Sequence, residues 1–233
     1  MRGALPTYLR IAERLTREIV AGRLRPGDRL PPERRMAADL GVTVTTLRKA
    51  LAVLTERGLL DRRQGSGNTI TAGDTGRGVY ALFRLERPEG GGLPTADLLS
   101  VSLEDKPADL PDLGSAVPQA WHMRRLRHLD GVPVAVEDIW LDARFPGRLA
   151  PEMISELLYR SYRELLGLTI ARAEDRLGAG PLPDWATGLL PGHAPGRVMA
   201  LARRRAFDAD GRPAEVSSTW FDPDRATYVA RLP

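Results

Sequence analysis

The amino-acid sequence predicts an α+β protein of two domains, a helical N-terminal head and a larger domain built on an antiparallel sheet. Three observations lead to this prediction. The first seventy residues hold three segments with helical spacing of apolar residues and then two short β-rich segments. A stretch rich in Gly, Arg and Pro follows. Beyond it, one arginine-rich hairpin pattern occurs twice.

The first helix of the head is predicted over residues 7–21 and ends at Gly22. Its apolar face consists of Tyr8, Ile11, Ala12, Leu15 and Ile19. After the turn segment LRPGDRLP, Pro32 opens a second helix, which ends at Gly41.

The third helix and the hairpin after it complete the head. Thr43 is placed to cap this helix and Gly58 ends it, with a buried stripe of Leu47, Ala50, Leu51 and Leu54. The segments LLDRR and NTIT, joined by QGSG, fit a β-hairpin with a flexible basic tip. Three helices and a hairpin make a winged helix-turn-helix, which places the third helix against DNA base edges. The alternative is a winged helix that makes only protein contacts.

The basic charge of the chain is concentrated in this head. The net charge is +4, but residues 1–72 hold 14 Lys and Arg against 7 Asp and Glu, and residues 73–233 hold 20 against 23. A basic module joined to a mildly acidic one is typical of a nucleic-acid binder with a second function. The same distribution also fits a solvated basic face without a partner.

Composition limits chemistry and localisation. The absence of cysteine excludes disulfides, thiolate metal sites and thiol nucleophiles. There is no run of about 18 apolar residues, and the first residues lack the apolar centre of a signal peptide. We therefore expect a cytoplasmic protein without membrane contact.

The head carries specific motifs: GRLRPGDRLP, ERRMAADLGV followed by TTLRKAL, and RGLL leading into RRQGSG. With these motifs, about 65 residues resemble the DNA-binding domain of GntR-type bacterial transcription regulators. The resemblance implies DNA contacts by Arg34, Thr45, Thr46, Arg48 and the wing tip. With neighbouring polar residues, the predicted DNA-binding set is Arg34, Arg35, Thr43, Thr45, Thr46, Arg48, Lys49, Gln64, Gly65, Ser66 and Gly67.

Two residues depart from the family pattern. The family usually has arginine in place of Val44, and an acidic residue or glutamine in place of Arg35. The missing arginine would be a forked donor to guanine, worth roughly 1–3 kcal/mol of base discrimination. Three explanations stay open: Val44 contacts a thymine methyl group, Arg35 compensates, or the head discriminates weakly between sequences.

The predicted domains are a winged helix-turn-helix over 1–72, a linker or first strand over 73–92, and a second domain over 93–233. The pieces TAGDTGRG and RPEGGG suit a linker, whereas VYALFRL between them fits a strand.

An internal repeat defines the second domain. RRLRHLDGVPVAVEDIWLD (124–142) and RRRAFDADGRPAEVSSTWFD (203–222) share an arginine-rich strand, an Asp-Gly turn and an aromatic residue before Asp. Each copy predicts a β-hairpin, because Asp-Gly favours positive φ angles. With helical segments over 151–166 and about 182–190, the repeat predicts an antiparallel sheet with helices on one face and a cleft between the hairpins.

The motifs RRLRHLDGVPVAVE, LYRSYRELLG and DGRPAEVS occur in this order behind the head. Residues 93–233 thereby resemble the UTRA effector-binding domain of the HutC branch of the same regulators, whose fold is of chorismate-lyase-like type. The resemblance implies ligand contacts by Arg125, Arg127, Glu137, Tyr159 and Glu215. Ser217 lies on the same strand face as Glu215 and is a weaker candidate.

These residue types suit an anionic metabolite with hydroxyl or amino groups. Two guanidinium groups offer forked donors to phosphate or carboxylate, and the glutamates accept from hydroxyls or balance an amine. Each residue also has a structural alternative. The arginines fit a solvated strand face, the glutamates fit cross-strand partners, and Tyr159 fits the core.

Two further residues differ from many members of the family: Leu157 stands where serine is common beside the ligand's anionic group, and Phe221 where tyrosine is common. Both replacements remove a polar contact. The sequence therefore favours an effector less polar than a sugar phosphate, or one bearing a carboxylate.

The sequence thus predicts a homodimeric transcription regulator, a repressor, that binds a palindromic double-stranded DNA operator under the control of a small effector. An enzyme related to the lyase fold is the second hypothesis. We expect no catalytic residue, metal or cofactor, because the three histidines form no acid-base or ligand cluster in the sequence. A regulator with degenerate ligand or DNA specificity is the third hypothesis, suggested by Val44, Leu157 and Phe221.

Overall fold

The chain divides into two compact units, Met1–Phe83 and Arg84–Pro233. We call them the head and the sheet domain. The computed structural model describes residues 6–230 except 21–22, 26, 57–58, 64–66, 72–83, 91, 93 and 195. Among the described residues, no helix is long and apolar enough to span a membrane.

The head is a winged helix-turn-helix, which confirms the prediction. Its hairpin is antiparallel, with Leu60 opposite Ile70. The elements are α1 (Thr7–Val20), α2 (Glu33–Asp39), α3 (Val44–Glu56), β1 (Leu60–Arg63) and β2 (Gly67–Ile70).

The orientation of α3 follows from its cap and its buried stripe. The Oγ1 atom of Thr43 accepts a hydrogen bond from the backbone N–H of Thr46 at 3.2 Å, so Thr43 caps the helix as predicted. The predicted stripe residues are fully buried and pack with apolar residues of α1 and of the hairpin. This packing fixes which side of α3 faces solvent.

The sheet domain is built on six strands: β4 (Pro94–Asp105), β5 (Gln119–Leu129), β6 (Val132–Asp142), β7 (Arg172–Pro181), β8 (Val198–Phe207) and β9 (Pro213–Phe221). Their order in the sheet is β4-β5-β6-β9-β8-β7, and all neighbours are antiparallel. Two short strands, β3 (Leu85–Glu86) and β10 (Thr227–Tyr228), pair with each other.

The internal repeat forms two equivalent hairpins, β5-β6 and β8-β9, as predicted. Asp130 and Gly131 turn the first one with φ angles of 54° and 80°. The second turn is longer, and the carboxylate of Asp208 accepts two of its backbone N–H groups. Asp138 of β6 and Ser218 of β9 occupy the same position in the repeat and lie directly opposite each other. A pseudo-two-fold axis therefore passes between the two central strands.

Helix α4 (Leu158–Leu166) covers one face of the sheet, which we call the α4 face. Its fully buried Tyr162 packs in one cluster with Met123 of β5 and Ile139 of β6. Because alternate side chains of a strand share a face, Arg125 and Glu137 also lie on the α4 face.

The predicted helices need two corrections. Residues 151–166 do not form one helix, because a single 3-10 turn, Pro151–Met153, is followed by extended residues before α4. Segment 182–190 contains only the 3-10 turn Asp184–Ala186, because the prolines and glycine around it stop a helix. This segment packs on the opposite face of the sheet, where Trp185 lies edge-on to Trp220 of β9 at 6.5 Å.

Candidate functional site

The first candidate surface lies around the N-terminus of α3, and we call it the head surface. Its described members are solvent-exposed, apart from half-buried Thr46. The Thr46 hydroxyl is 2.9 Å from that of Thr43, so these two hydroxyls are hydrogen-bonded to each other, while Thr45 is exposed. The described members are Arg34, Arg35, Thr43, Thr45, Thr46, Arg48, Lys49 and Gly67.

The wing tip is described only in part. Gln64, Gly65 and Ser66 of the predicted DNA-binding set lie outside the described residues. Gly67 opens β2 with a φ of 84°, in the left-handed region that favours glycine.

Val44 is half-buried and packs against the core of the head. The residue that departs from the family pattern therefore contributes to the packing of α3. Arg35, the suggested substitute, is exposed on α2 and lies 3.9 Å from the carboxylate of Asp39.

A carboxylate that the sequence reasoning did not assign to the site connects three elements of the head. Glu33 accepts from Arg48 Nε of α3 at 2.6 Å and from Arg62 Nη2 of β1 at 2.9 Å. The hydrogen bond from Arg48 is the main reason that the pKa of Glu33 is lowered. Arg48 stays 63% exposed, so its remaining N–H groups face solvent. In the sequence, Glu33 was recognisable only as an acidic residue in the first turn of the helix after Pro32, and its partners Arg48 and Arg62 were not indicated.

Exchanging Glu33 for glutamine (E33Q) is expected to strengthen non-specific DNA binding about threefold at low salt and to steepen the salt dependence by about one unit. The reason is that Arg48 and Arg62 lose the carboxylate that neutralises them. Stability falls by less than about 1 kcal/mol, because these ion pairs are partly exposed. Fluorescence anisotropy with a scrambled duplex across a salt series measures the effect.

The matched control is E18Q, which removes the same charge from Glu18 and its ion pair with Arg14 on α1. It is expected to change DNA binding less than E33Q. Equal effects of the two variants would show that only the net charge of the head matters.

The second candidate site lies on the α4 face and contains the predicted ligand residues. Arg125 lies opposite Glu137 on the neighbouring strand, with Nη2 of Arg125 at 2.6 Å from a Glu137 oxygen. Arg127 Nε lies 3.7 Å from the other oxygen. Burial alone would raise the pKa of Glu137, but the two arginine charges hold it below its usual value. Glu137 is therefore a cross-strand partner of both arginines, which are buried instead of solvated.

A buried carboxylate between two tyrosines forms the next part of this site. Glu215 is only 2% exposed and accepts hydrogen bonds from Tyr159 at 3.0 Å and from Tyr162 at 2.7 Å. Burial raises the pKa of Glu215. The phenol groups of α4 thus attach the helix to β9.

Arg204 and Asp175 complete the polar cluster, and the sequence reasoning missed both. Nε and Nη2 of Arg204 each donate to Asp175 at 2.6 Å. The hydroxyl of Tyr228 also donates to Asp175. The signal for Arg204 was in the repeat: Arg125 lies opposite Glu137, and Arg204 lies opposite Ser217, the repeat counterpart of Glu137.

The charges of this cluster almost cancel. Arg125 and Arg127 face one carboxylate, and Arg204 faces Asp175. Glu215 has a raised pKa. The cluster therefore carries at most one excess positive charge. Charged groups this deeply placed are costly to bury unless each is paired and hydrogen-bonded, as these are.

The other residues noted in the sequence lie nearby. Leu157 is buried and directly precedes α4, and Phe221 is buried at the end of β9. Ser217 follows Glu215 by two positions on β9 and so shares its face. Among the described residues, no group of three or more His, Asp or Glu side chains is arranged to hold a metal ion.

Comparisons with known proteins agree with this architecture. A family profile described as "Bacterial regulatory proteins, gntR family" matches residues 7–70, and one described as "UTRA domain" matches residues 89–227. The chain is 51% identical to the HTH-type transcriptional regulator SmoD of Agrobacterium fabrum, over 99% of this chain and 97% of that protein. It is 26% identical to the mannosyl-D-glycerate transport/metabolism system repressor MngR of Escherichia coli, over 98% of each chain.

A solved structure shows the same fold. The crystal structure of PhnF from Mycobacterium smegmatis has a TM-score of 0.52 with this chain and 24% sequence identity. The match covers 92% of this chain and 99% of that one.

Proposed function

The chain belongs to the GntR family of bacterial transcription regulators and carries a UTRA domain behind its DNA-binding domain, and from this premise we propose that it is a repressor controlled by a small anionic metabolite. Members of this family regulate transcription and are not enzymes. The relative MngR is named as a repressor, which supports the proposal that this chain represses transcription.

The head surface supports binding to an operator. Its arginines, threonines and the N-terminal turn of α3 are exposed together, while the buried stripe holds the helix in place. In the helix-turn-helix geometry this turn enters the major groove and the arginines contact phosphates. Two such heads related by a two-fold axis bind a palindromic operator, so we propose that the active form is a homodimer.

The cluster on the α4 face is the observation that carries the proposal of effector control. Arg125 and Arg127 are buried donors, with Glu137, Tyr159 and Glu215 as the neighbouring polar groups. Because the cluster holds at most one excess positive charge, the effector we propose is a small metabolite with a single negative charge and hydroxyl groups. The replacements at Leu157 and Phe221 each remove a polar contact, which favours a carboxylate over a sugar phosphate as the charged group.

A titration of the full chain onto the DNA upstream of its own gene tests DNA binding. We expect a symmetric footprint, two chains per operator, and an affinity that falls steeply as salt rises, because phosphate contacts release counterions. A scrambled duplex of equal length is the control. Absent or salt-insensitive binding would contradict the proposal.

A further inference from the structure

A cavity of about 560 Å³ lies on the face of the sheet opposite the α4 face. One row of its floor crosses four strands: Asp138 of β6 lies opposite Ser218, Ser218 opposite Arg203, and Arg203 opposite Arg176. We call this cavity the opposite-face pocket. Its volume is in the range of small-molecule sites.

The next row adds an apolar wall and a third arginine. Trp140, Val216 and Arg205 follow one another across neighbouring strands. Leu110, in the loop after β4, lies above them and packs in the cluster that includes Trp140 and Val216. The pocket therefore combines guanidinium groups with an aromatic and aliphatic side, as sites for small organic molecules do.

Three arginines of the lining bring positive charge to this pocket. In the part of the chain that the structure describes, Arg176, Arg203 and Arg205 form no ion pair, and Nε of Arg205 is buried without a hydrogen-bond partner. Arg176 and Arg203 even lie directly opposite each other, which is unfavourable for like charges.

The carboxylates of the pocket balance these charges only in part. Asp138 is bonded by His122 at 3.1 Å and by Arg124 at 3.2 Å, both outside the lining. Glu174 is bonded by Arg172 and lies opposite Arg205, and the charges of Arg205 and Arg176 also help to lower its pKa. Glu174 is shared among several arginines, so together with Asp109 on the loop it offsets the three arginine charges only in part.

The internal repeat shows which group is missing. In the first hairpin, Arg124 lies opposite Asp138 and donates to it. In the second hairpin, the equivalent Arg203 lies opposite Ser218, which brings no charge. The position that a carboxylate fills in one repeat is thus open to an external anion in the other.

We propose that the opposite-face pocket is a second ligand site, which takes a small organic oxyanion with a phosphate, sulfonate or carboxylate group and an apolar or aromatic part. Arg176, Arg203 and Arg205 hold the oxyanion as forked donors. Trp140 and Val216 contact the apolar part. The loop that walls the cavity favours a compact ligand over a nucleic-acid backbone. This site lies across the sheet from the cluster on the α4 face, and Arg204 and Ser217, whose side chains belong to that cluster, also contribute to the pocket lining.

Phenyl phosphate tests the proposal as a probe, with binding to the full chain measured by calorimetry. The double variant R203Q/R205Q is expected to bind phenyl phosphate at least about tenfold more weakly than the natural chain, because two charge-assisted hydrogen-bond donors are lost. The control R148Q removes an exposed arginine outside the pocket and is expected to bind normally. The double variant breaks no close ion pair and removes only the more distant attraction between Arg205 and Glu174, so its thermal midpoint should stay close to that of the natural chain.

Two results would overturn this inference: no binding of phenyl phosphate to the natural chain, or equal binding to R203Q/R205Q. The second result would place the anion elsewhere, and a loss of DNA affinity in the same variant would then make these arginines a DNA contact. If the double variant does not fold, R176Q on the edge strand β7 replaces it, with an expected weakening of about threefold. Unchanged binding to a folded R176Q would also overturn the inference.

Discussion

Exchanging Glu137 for glutamine (E137Q) is expected to lower the free energy of unfolding of the sheet domain by about 3 kcal/mol at neutral pH. Arg125 and Arg127 would lose the carboxylate that neutralises them, and both are buried. Leaving buried charges uncompensated costs more than the ion pair itself contributes. Urea denaturation followed by tryptophan fluorescence measures the loss.

The pH dependence of the stability loss in E137Q provides a control for this prediction. The pKa of Glu137 is lowered from 4.5 in the folded chain, so its contribution is fully present above pH 4.5 and disappears as the pH falls through the lowered pKa. The difference between E137Q and the natural chain should therefore shrink in acid. The variant E152Q, at an exposed glutamate, should keep the natural stability. An E137Q chain as stable as E152Q would show that the arginines are solvated in solution.

Exchanging Leu51 for alanine (L51A) is expected to lower the free energy of unfolding of the head by about 3 kcal/mol, since the change leaves a cavity in the core. Leu51 is fully buried between α3 and the rest of the head. Because this packing holds α3 in position, operator affinity should fall at least tenfold at 37 °C, in line with the loss of folded head. Circular dichroism and anisotropy on the same samples measure both effects.

Lys49→Ala on the exposed side of α3 is the matched control for L51A. It should change the free energy of unfolding by less than about 0.5 kcal/mol. We propose that Lys49 contacts phosphate, so its loss should weaken DNA binding by a similar factor on all sequences. An L51A chain with natural stability would contradict the assignment of this residue to the core of the head.

The sequence was most informative about the head and the hairpins. Caps, glycines and apolar spacing are local signals, and Thr43, Leu47 and Leu54 show them directly. The Asp-Gly turn at Asp130 and its repeat likewise located the central strands. Register and repeat together then fix the pairing of β6 with β9.

These local signals did not predict where the segments that cover the sheet would pack. Residues 182–190 carry apolar side chains, but Pro183 and Gly188 prevent a continuous helix, and local spacing does not reveal which sheet face they cover. That choice depends on Trp185 packing near Trp220, a contact between distant parts of the chain.

The same limit applies to the sites. Arg125, Glu137 and Glu215 were available from motifs, but the partners Tyr162, Arg204 and Asp175 depend on cross-strand register and on where α4 crosses the sheet. The opposite-face pocket could not be predicted from the sequence, because its lining comes together only when β6, β9, β8 and β7 are neighbours in this order.

Effector control of DNA binding is tested most directly by measuring operator affinity with and without a metabolite that raises the thermal midpoint of the chain. The proposed mechanism predicts a change in operator affinity of at least about fivefold, which is the lower range of allosteric coupling. It also predicts that R125K, which keeps the charge but loses the forked donor, loses this response while binding the operator normally. A metabolite that stabilises the chain through Arg125 but leaves operator affinity unchanged would contradict effector control.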